Sequence, residues 1–198
     1  MRIAPLLPCL LLVALALACE PKSEIPPEDS APEGDTDTDT DTDADTDTDT
    51  DTDTDVPLVA WVVRHAEKES KGSDPGLTDE GQARAEALVE VMAEVPLVAI
   101  YATDYNRTRE TCQPTATAHG LPVVDDIDPY EDLAEHIIAE HQHQQVLHCG
   151  HSWTIPAFMD SLGVPDPVTV GSNQYGDIWI VTMQGDEVIS VEMGYFGE

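Results

Sequence analysis

Three times in this chain an apolar run of strand length stops at a polar cluster and gives way to a stretch of helical character. Leu58 to Val63 leads into Arg64-His65, Leu97 to Tyr101 into Thr103-Asp104-Tyr105-Asn106-Arg107, and Gln145 to Cys149 into Gly150-His151-Ser152. The first helix is expected to open at Thr78 as N-cap, with Asp79 and Glu80 in its first turn, and to run to about Glu94. Its apolar side is Ala83, Ala87, Leu88, Val91 and Met92, which leaves Arg84 on a solvated face. The second runs through Ala118, with Pro114 shortening or kinking it, and the third from Ile155 to Leu162. Tyr130 to His141 adds another helix, and Ile178 to Met183 with Val188 to Met193 reads as a terminal hairpin turning at Gln184-Gly185-Asp186. Alternating strand and helix predicts an α/β fold, a mostly parallel sheet with helices on both faces. Parallel strands end on one edge, where ligands bind, so Arg64, His65, Arg107 and His151 are expected to converge there.

Two guanidinium groups and two imidazoles in one crevice suit a phosphate. Arg presents a planar fork that matches phosphate oxygens, and a His ring supplies a nucleophile. The distribution of basic residues agrees, for no Lys or Arg follows Arg109. The chain as a whole has 40 acids against 8 bases and a formal charge of -32, which argues against nucleic acid or an anionic membrane surface as partner.

Much of that charge lies outside the region that can fold. From Asp35 to Asp55 Asp alternates with Thr, broken once at Ala44, and neither set of alternating positions is apolar. Like charges at every second residue repel and extend, so the segment reads as a spacer. Residues 1–18 hold one base, Arg2, then an uncharged apolar stretch ending in Ala16-Leu17-Ala18, the pattern of a signal peptide too short to span a bilayer. Leu-Ala-Leu-Ala-Cys, ending at Cys19, resembles a bacterial lipobox, although the same small residues also suit ordinary cleavage that leaves a soluble chain. The organisation expected is a signal peptide (1–18), a lipid-anchored acidic spacer (19–57) and one domain (58–198), exported to a bacterial cell envelope, with membrane contact only through the anchor. In the domain Cys112 and Cys149 remain, able to form one disulfide or to serve as small buried apolar residues.

Arg64-His65-Ala66-Glu67-Lys68 resembles the Arg-His-Gly/Ala-Glu signature of the histidine phosphatase, or phosphoglycerate mutase-like, superfamily. Further blocks are similar in order: Leu77 to Ala85 to its Leu-Thr-x-x-Gly segment, Tyr101 to Thr111 to its Tyr-x-Ser/Thr-x-x-x-Arg-Thr-x-x-Thr segment, and Leu147 to Ser152 to its Gly-His-Ser segment. The resemblance implies a phosphoglycerate mutase-like fold and metal-independent hydrolysis of a phosphomonoester, with no cofactor. His65 would be the phosphorylated nucleophile, Arg64 and Arg107 the phosphate clamps, and His151 the second histidine on the phosphoryl group. Only 43 residues separate Arg107 from His151, little room for the cap segments of mutases, so a hydrolase with an open site is expected. The chain departs from the family in Trp153, where relatives often have Asn, a side chain able to narrow the mouth of the site.

No match to the family's proton-donating Glu is evident, and Asp126, Asp128 and Glu131 are the candidates after the apolar Leu121 to Val124. The missing acid motivates the alternative of a non-catalytic module that binds phosphorylated ligands. His136, Glu140, His141 and His143 invite a metal reading, but a polar stretch before a strand without a defined fourth ligand favours a solvated helix end. Arg109 and Lys68 are read as rim residues or partners of local acids. The anchor has a direct test: mass spectrometry of the mature N-terminus should find acyl chains on Cys19, and an unmodified or absent Cys19 would refute it.

Overall fold

The computed structural model describes residues 56–127 and 129–197. The expected signal peptide, Cys19 and the spacer as far as Asp55 lie outside the described residues, as does Asp128. The strands are β1 (Leu58–Arg64), β2 (Leu97–Ala102), β3 (Val123–Val124), β4 (Gln145–Gly150), β5 (Asp177–Gln184) and β6 (Glu187–Tyr195). They form one sheet in the order β3-β2-β4-β1-β5-β6. The first four are parallel, and β5 and β6 add an antiparallel hairpin at the edge. Gly185 opens that hairpin turn with φ 61°, a conformation glycine adopts without Cβ strain.

Among the described residues four helices cover the sheet: α1 (Asp79–Met92), α2 (Asn106–His119), α3 (Tyr130–Glu140) and α4 (Thr154–Ser161). The period-2 alternation of the central strands divides the core between the two faces. Ala60 and Val62 of β1 join Leu133 and Ile137 of α3 and Ile155 and Phe158 of α4 in one cluster. Val63 joins Leu88 and Met92 of α1 and Cys112 and Ala116 of α2 in the other. Each large apolar side chain buried in this way stabilises the domain by about 1.5–3 kcal/mol. Cys112 and Cys149 are buried free thiols in the second cluster.

Helix α1 is capped at Thr78, whose Oγ1 accepts from the Gly81 amide at 3.1 Å. Its buried face differs from the expected one: Gly81, Arg84, Ala85, Leu88 and Met92 point inward, while Ala83 and Val91 are exposed. Arg84, expected in solvent, is 6% exposed and pairs with Glu67 at 2.8 Å. It also donates to the Phe196 carbonyl at 3.1 Å and the Tyr195 hydroxyl at 3.2 Å. The cause is a backbone crossing, because the segment leaving His65 passes over the first turn of α1. Thr78 N donates to the Glu67 carbonyl at 2.9 Å. Pro114 neither shortens nor breaks α2, which continues to His119 and ends on Gly120 at φ 67°.

That crossing demands glycine at position 81, since a Cβ there would lie 2.1 Å from the Glu67 carbonyl oxygen. Gly81→Ala should therefore lower stability by about 1–3 kcal/mol, the usual range for forced overpacking. A urea midpoint unchanged from the parent chain would refute it.

Candidate active site

The C-terminal edge of the parallel strands brings together the four residues singled out in the sequence. Arg64 ends β1 and His65 follows it; His151 follows β4; Arg107 sits in the first turn of α2. The β1–β4 ladder pairs Arg64 with Gly150 and extends one bond further, His65 N donating to the Gly150 carbonyl at 3.0 Å. The His65 and His151 ring centroids lie 5.2 Å apart as a result.

His65 is 2% exposed, and its Nδ1–H donates to the Ala66 carbonyl at 2.7 Å. A carbonyl only accepts, so Nδ1 carries the proton and, in the neutral ring, Nε2 keeps its lone pair. Burial, helped by Arg64, Arg107 and Lys68, lowers the His65 pKa to about 4 against the opposing Ala66 bond. The Ala66 amide donates in turn to Thr111 Oγ1 at 2.9 Å, and that hydroxyl donates to the Arg107 carbonyl at 2.7 Å, tying the segment that carries His65 to α2.

Neither guanidinium group has a carboxylate at hydrogen-bond distance. Arg64 Nη1 donates to the carbonyls of Gly171 at 2.7 Å and Gln174 at 3.1 Å, and its Cζ lies 4.3 Å from the Tyr175 ring centroid. Arg107 lies 4.3 Å above the Tyr105 ring and 5.9 Å from that of Trp153, with Asp74 3.6 Å from Nη1. Both Nε–H groups are buried with no hydrogen-bond partner. Such donors beside an imidazole lone pair are prepared for the oxygens of a tetrahedral anion.

His151 completes the cluster. Its Nε2 lies 2.8 Å from Thr103 Oγ1, its amide donates to Thr154 Oγ1 at 2.8 Å, and its Nδ1 is buried with no partner. Trp153, 58% exposed, stacks on the ring at 4.2 Å and so narrows one side of the site. Burial first, then Arg107 and the other cations and imidazoles, lowers the His151 pKa to about 3.

Behind His151 is a cavity of about 310 Å³ reaching past His148 to Asp125 and Tyr130. Of the acids proposed as proton donors, Asp126 and Glu131 are exposed and line none of it; Asp125, one residue earlier, does, while paired with Arg109 at 2.9 Å. Arg109 also pairs with Asp104, so it is a rim residue tied to local acids. A larger groove of about 530 Å³, between β6 and residues 164–169, contains none of the four site residues. His136 and His141 share the Tyr101 hydroxyl at 3.2 Å and 2.6 Å, while His143 bonds the Val56 carbonyl. Among the described residues no group of three or more His, Cys, Asp or Glu is placed to hold a metal ion.

Several contributors carried no sequence signal. Tyr175 and the Gly171 and Gln174 carbonyls lie in a loop without motif or periodicity, and Asp74 in the loop before α1. Thr103, Tyr105 and Thr111 belong to a block whose interest in the sequence lay in Arg107, and their spacing around it was the available signal.

Fold and cluster together define an α/β domain with a crevice of two guanidinium groups and two imidazoles at the ends of its parallel strands. Residues 60–128, which include Arg64, His65 and Arg107, match the model of the histidine phosphatase superfamily (branch 1). No curated protein matches the chain. Among solved structures, the domain is similar to the protein histidine phosphatase SixA complexed with tungstate, with TM-score 0.56 and 14% identity over 70% of this chain and 95% of that one. It is similar to Bacillus stearothermophilus YhfR, with TM-score 0.54 and 17% identity over 66% and 94%. A mycobacterial glucosyl-3-phosphoglycerate phosphatase gives TM-score 0.54 and 14% identity over 70% and 98%. The fold is thus phosphoglycerate mutase-like, its mostly parallel sheet carrying an antiparallel edge.

Burial of neutral imidazoles makes stability depend on pH. His148 is fully buried and burial lowers its pKa to about 4, against an unfolded value near 6.5. Between those values the unfolded chain binds the extra proton, so this contribution to stability is present above pH 6.5 and is lost as pH falls toward 4. At pH 4 the loss amounts to roughly 3 kcal/mol for this group. His148→Leu should flatten the stability curve between pH 6.5 and 4, measured by urea unfolding; an unchanged slope would show that His148 is not titrating across folding.

Proposed function

We propose that this domain is a phosphomonoester hydrolase of the histidine phosphatase superfamily, acting without metal through a phosphohistidine at His65. The observation that carries the reading is the Nδ1–H bond from His65 to the Ala66 carbonyl at 2.7 Å, which leaves Nε2 as the free base between Arg64, Arg107 and His151. The matched family model and the tungstate bound by the similar SixA structure support an oxyanion at this place.

The Nε2 lone pair attacks phosphorus in line, the N–P bond forming as the bond to the ester oxygen breaks. Arg64 and Arg107 absorb charge on the equatorial oxygens through Nε–H groups that have no protein partner. His151 is neutral in the empty site; as a hydrogen-bond donor it adds to them, and a bound phosphate dianion raises its pKa. The leaving alkoxide takes a proton from water or from an acid of the neighbouring cavity, where Asp125 is placed. Water then attacks the phosphohistidine, releasing phosphate and restoring the neutral ring. We further infer that the enzyme works exported and held to an envelope membrane through Cys19.

Purified chain tested on a panel of phosphomonoesters should turn over in the presence of chelator and be inhibited by vanadate, and an acid-labile phosphohistidine should be trapped at low pH. His65→Ala should abolish turnover, and Arg107→Ala should slow it by a factor on the order of 100, equivalent to about 3 kcal/mol. With the nucleophile needed unprotonated, kcat/KM corrected for the substrate's own ionisation should hold on the acid side and fall only near pH 4. Turnover that survives His65→Ala, or that requires a divalent cation, would refute the reading. Phosphate binding without any turnover would make the domain the binding module instead.

A further inference from the structure

We propose that the 310 Å³ cavity behind His151 receives the leaving group of the substrate and selects one that carries a positive charge, making the substrate class phosphorylated amino alcohols. This rests on the phosphatase reading for its reaction and on the cavity alone for its selectivity.

The cavity adjoins the phosphate clamp across a shared wall of aromatic rings. His151, Tyr105 and Trp153 line it, and the same rings contact His65 and Arg107 on the other side. A phosphoryl group between the two guanidiniums thus places its ester oxygen beside this wall. An amino alcohol of two carbons puts its nitrogen only about 5 Å from phosphorus, by ordinary bond lengths of about 1.5 Å each.

The chemistry of the lining is that of a cation site. Tyr105, Tyr130 and Trp153 supply aromatic faces, which attract ammonium groups through their quadrupoles. Asp104 and Asp125 supply two carboxylates, and Arg109, which pairs with both, offsets one. No Lys or Arg lines the cavity. An anionic leaving group would meet the net negative charge of two carboxylates that share one arginine.

Two buried imidazoles add an independent sign of a ligand. His148 and His151 are each 0% exposed; His148 reaches the Tyr101 backbone with one ring nitrogen, and its other nitrogen and Nδ1 of His151 have no protein partner. Buried polar atoms are normally bonded, and those facing a cavity are satisfied by what fills it. Burial keeps His148, which lies away from the phosphate clamp, neutral at pH 7 with a pKa of about 4, so it retains a lone pair able to accept from an N–H or to face a cation without repulsion.

The test compares isosteres. Phosphocholine and its carbon analogue, 3,3-dimethylbutyl phosphate, differ only in charge; glycerol phosphate and 3-phosphoglycerate represent neutral polyol and anionic leaving groups. The full chain should show kcat/KM about tenfold or more higher for phosphocholine than for the carbon analogue, the size of one desolvated cation–π contact. Asp125→Asn should shrink that ratio several-fold. Equal rates for the isosteres, or preference for the polyol or the anion, would overturn the inference.

Titration of the full chain with choline chloride separates this result from failure of the phosphatase reading. Choline should quench tryptophan fluorescence saturably, and Trp153→Phe should remove the response. If no phosphomonoester is hydrolysed but choline still quenches through Trp153, the cavity assignment stands and the catalytic one falls. If choline produces no saturable change at Trp153, the cavity assignment is refuted whatever the turnover.

Discussion

The hydrogen bond from His65 N to the Gly150 carbonyl carries the β1–β4 ladder one residue beyond the strands, and the site depends on it. Because β1 and β4 are parallel and in register from Val59 with Gln145 to Arg64 with Gly150, both leave the sheet at the same height. The next residue on each is a histidine. A slip of one residue would reverse which face every side chain of β1 addresses, sending Val62 and Val63 to the wrong core clusters. The apolar cores on the two faces therefore fix the register, and the register fixes the 5.2 Å between the two imidazoles. Packing energy distributed over the whole domain sets the geometry of one pair of side chains.

Legibility in the sequence followed the same division. The strands read from their apolar runs because a parallel strand is buried on both faces and leaves a continuous signature, and each observed boundary falls within a residue or two of the expected one. The convergence of Arg64, His65, Arg107 and His151 followed from topology alone, since parallel strands must end on one edge. Arg84 was misread because helical periodicity registers only polarity, and a guanidinium buried on Glu67, the Tyr195 hydroxyl and the Phe196 carbonyl has the same polarity as one in water. Gly81 was the available clue: glycine in a first helical turn has no propensity rationale and signals close backbone approach. Tyr175 and the Gly171 and Gln174 carbonyls were illegible for a different reason. They act through backbone position in an irregular loop, and backbone carbonyls have no residue code.

The acids show what the chain excludes from its site. With 40 Asp and Glu in the chain, the easiest way to stabilise two buried arginines would be carboxylates at contact distance, as Arg84 has in Glu67. Arg64 instead rests on two carbonyls and an aromatic ring, and Arg107 on aromatic rings with its carboxylate neighbour at 3.6 Å. Carbonyl dipoles and ring quadrupoles hold a cation in place without neutralising it. An ion pair would spend the same guanidinium on an internal anion, and an incoming phosphate would have to displace that partner before binding.

The same choice governs the histidines. The buried cations Arg64 and Arg107 beside His65 and His151 lower both pKa values, adding to burial in keeping the rings neutral. A carboxylate near either ring would reverse the effect, favouring the imidazolium and occupying the lone pair a nucleophile requires. Guanidiniums without a carboxylate at hydrogen-bond distance and unprotonated imidazoles are thus one design. On the proposed function, the positive charge that would meet a phosphate is also the charge that keeps the His65 nitrogen bare, and a single substitution that brought an acid into contact with Arg107 would weaken both at once.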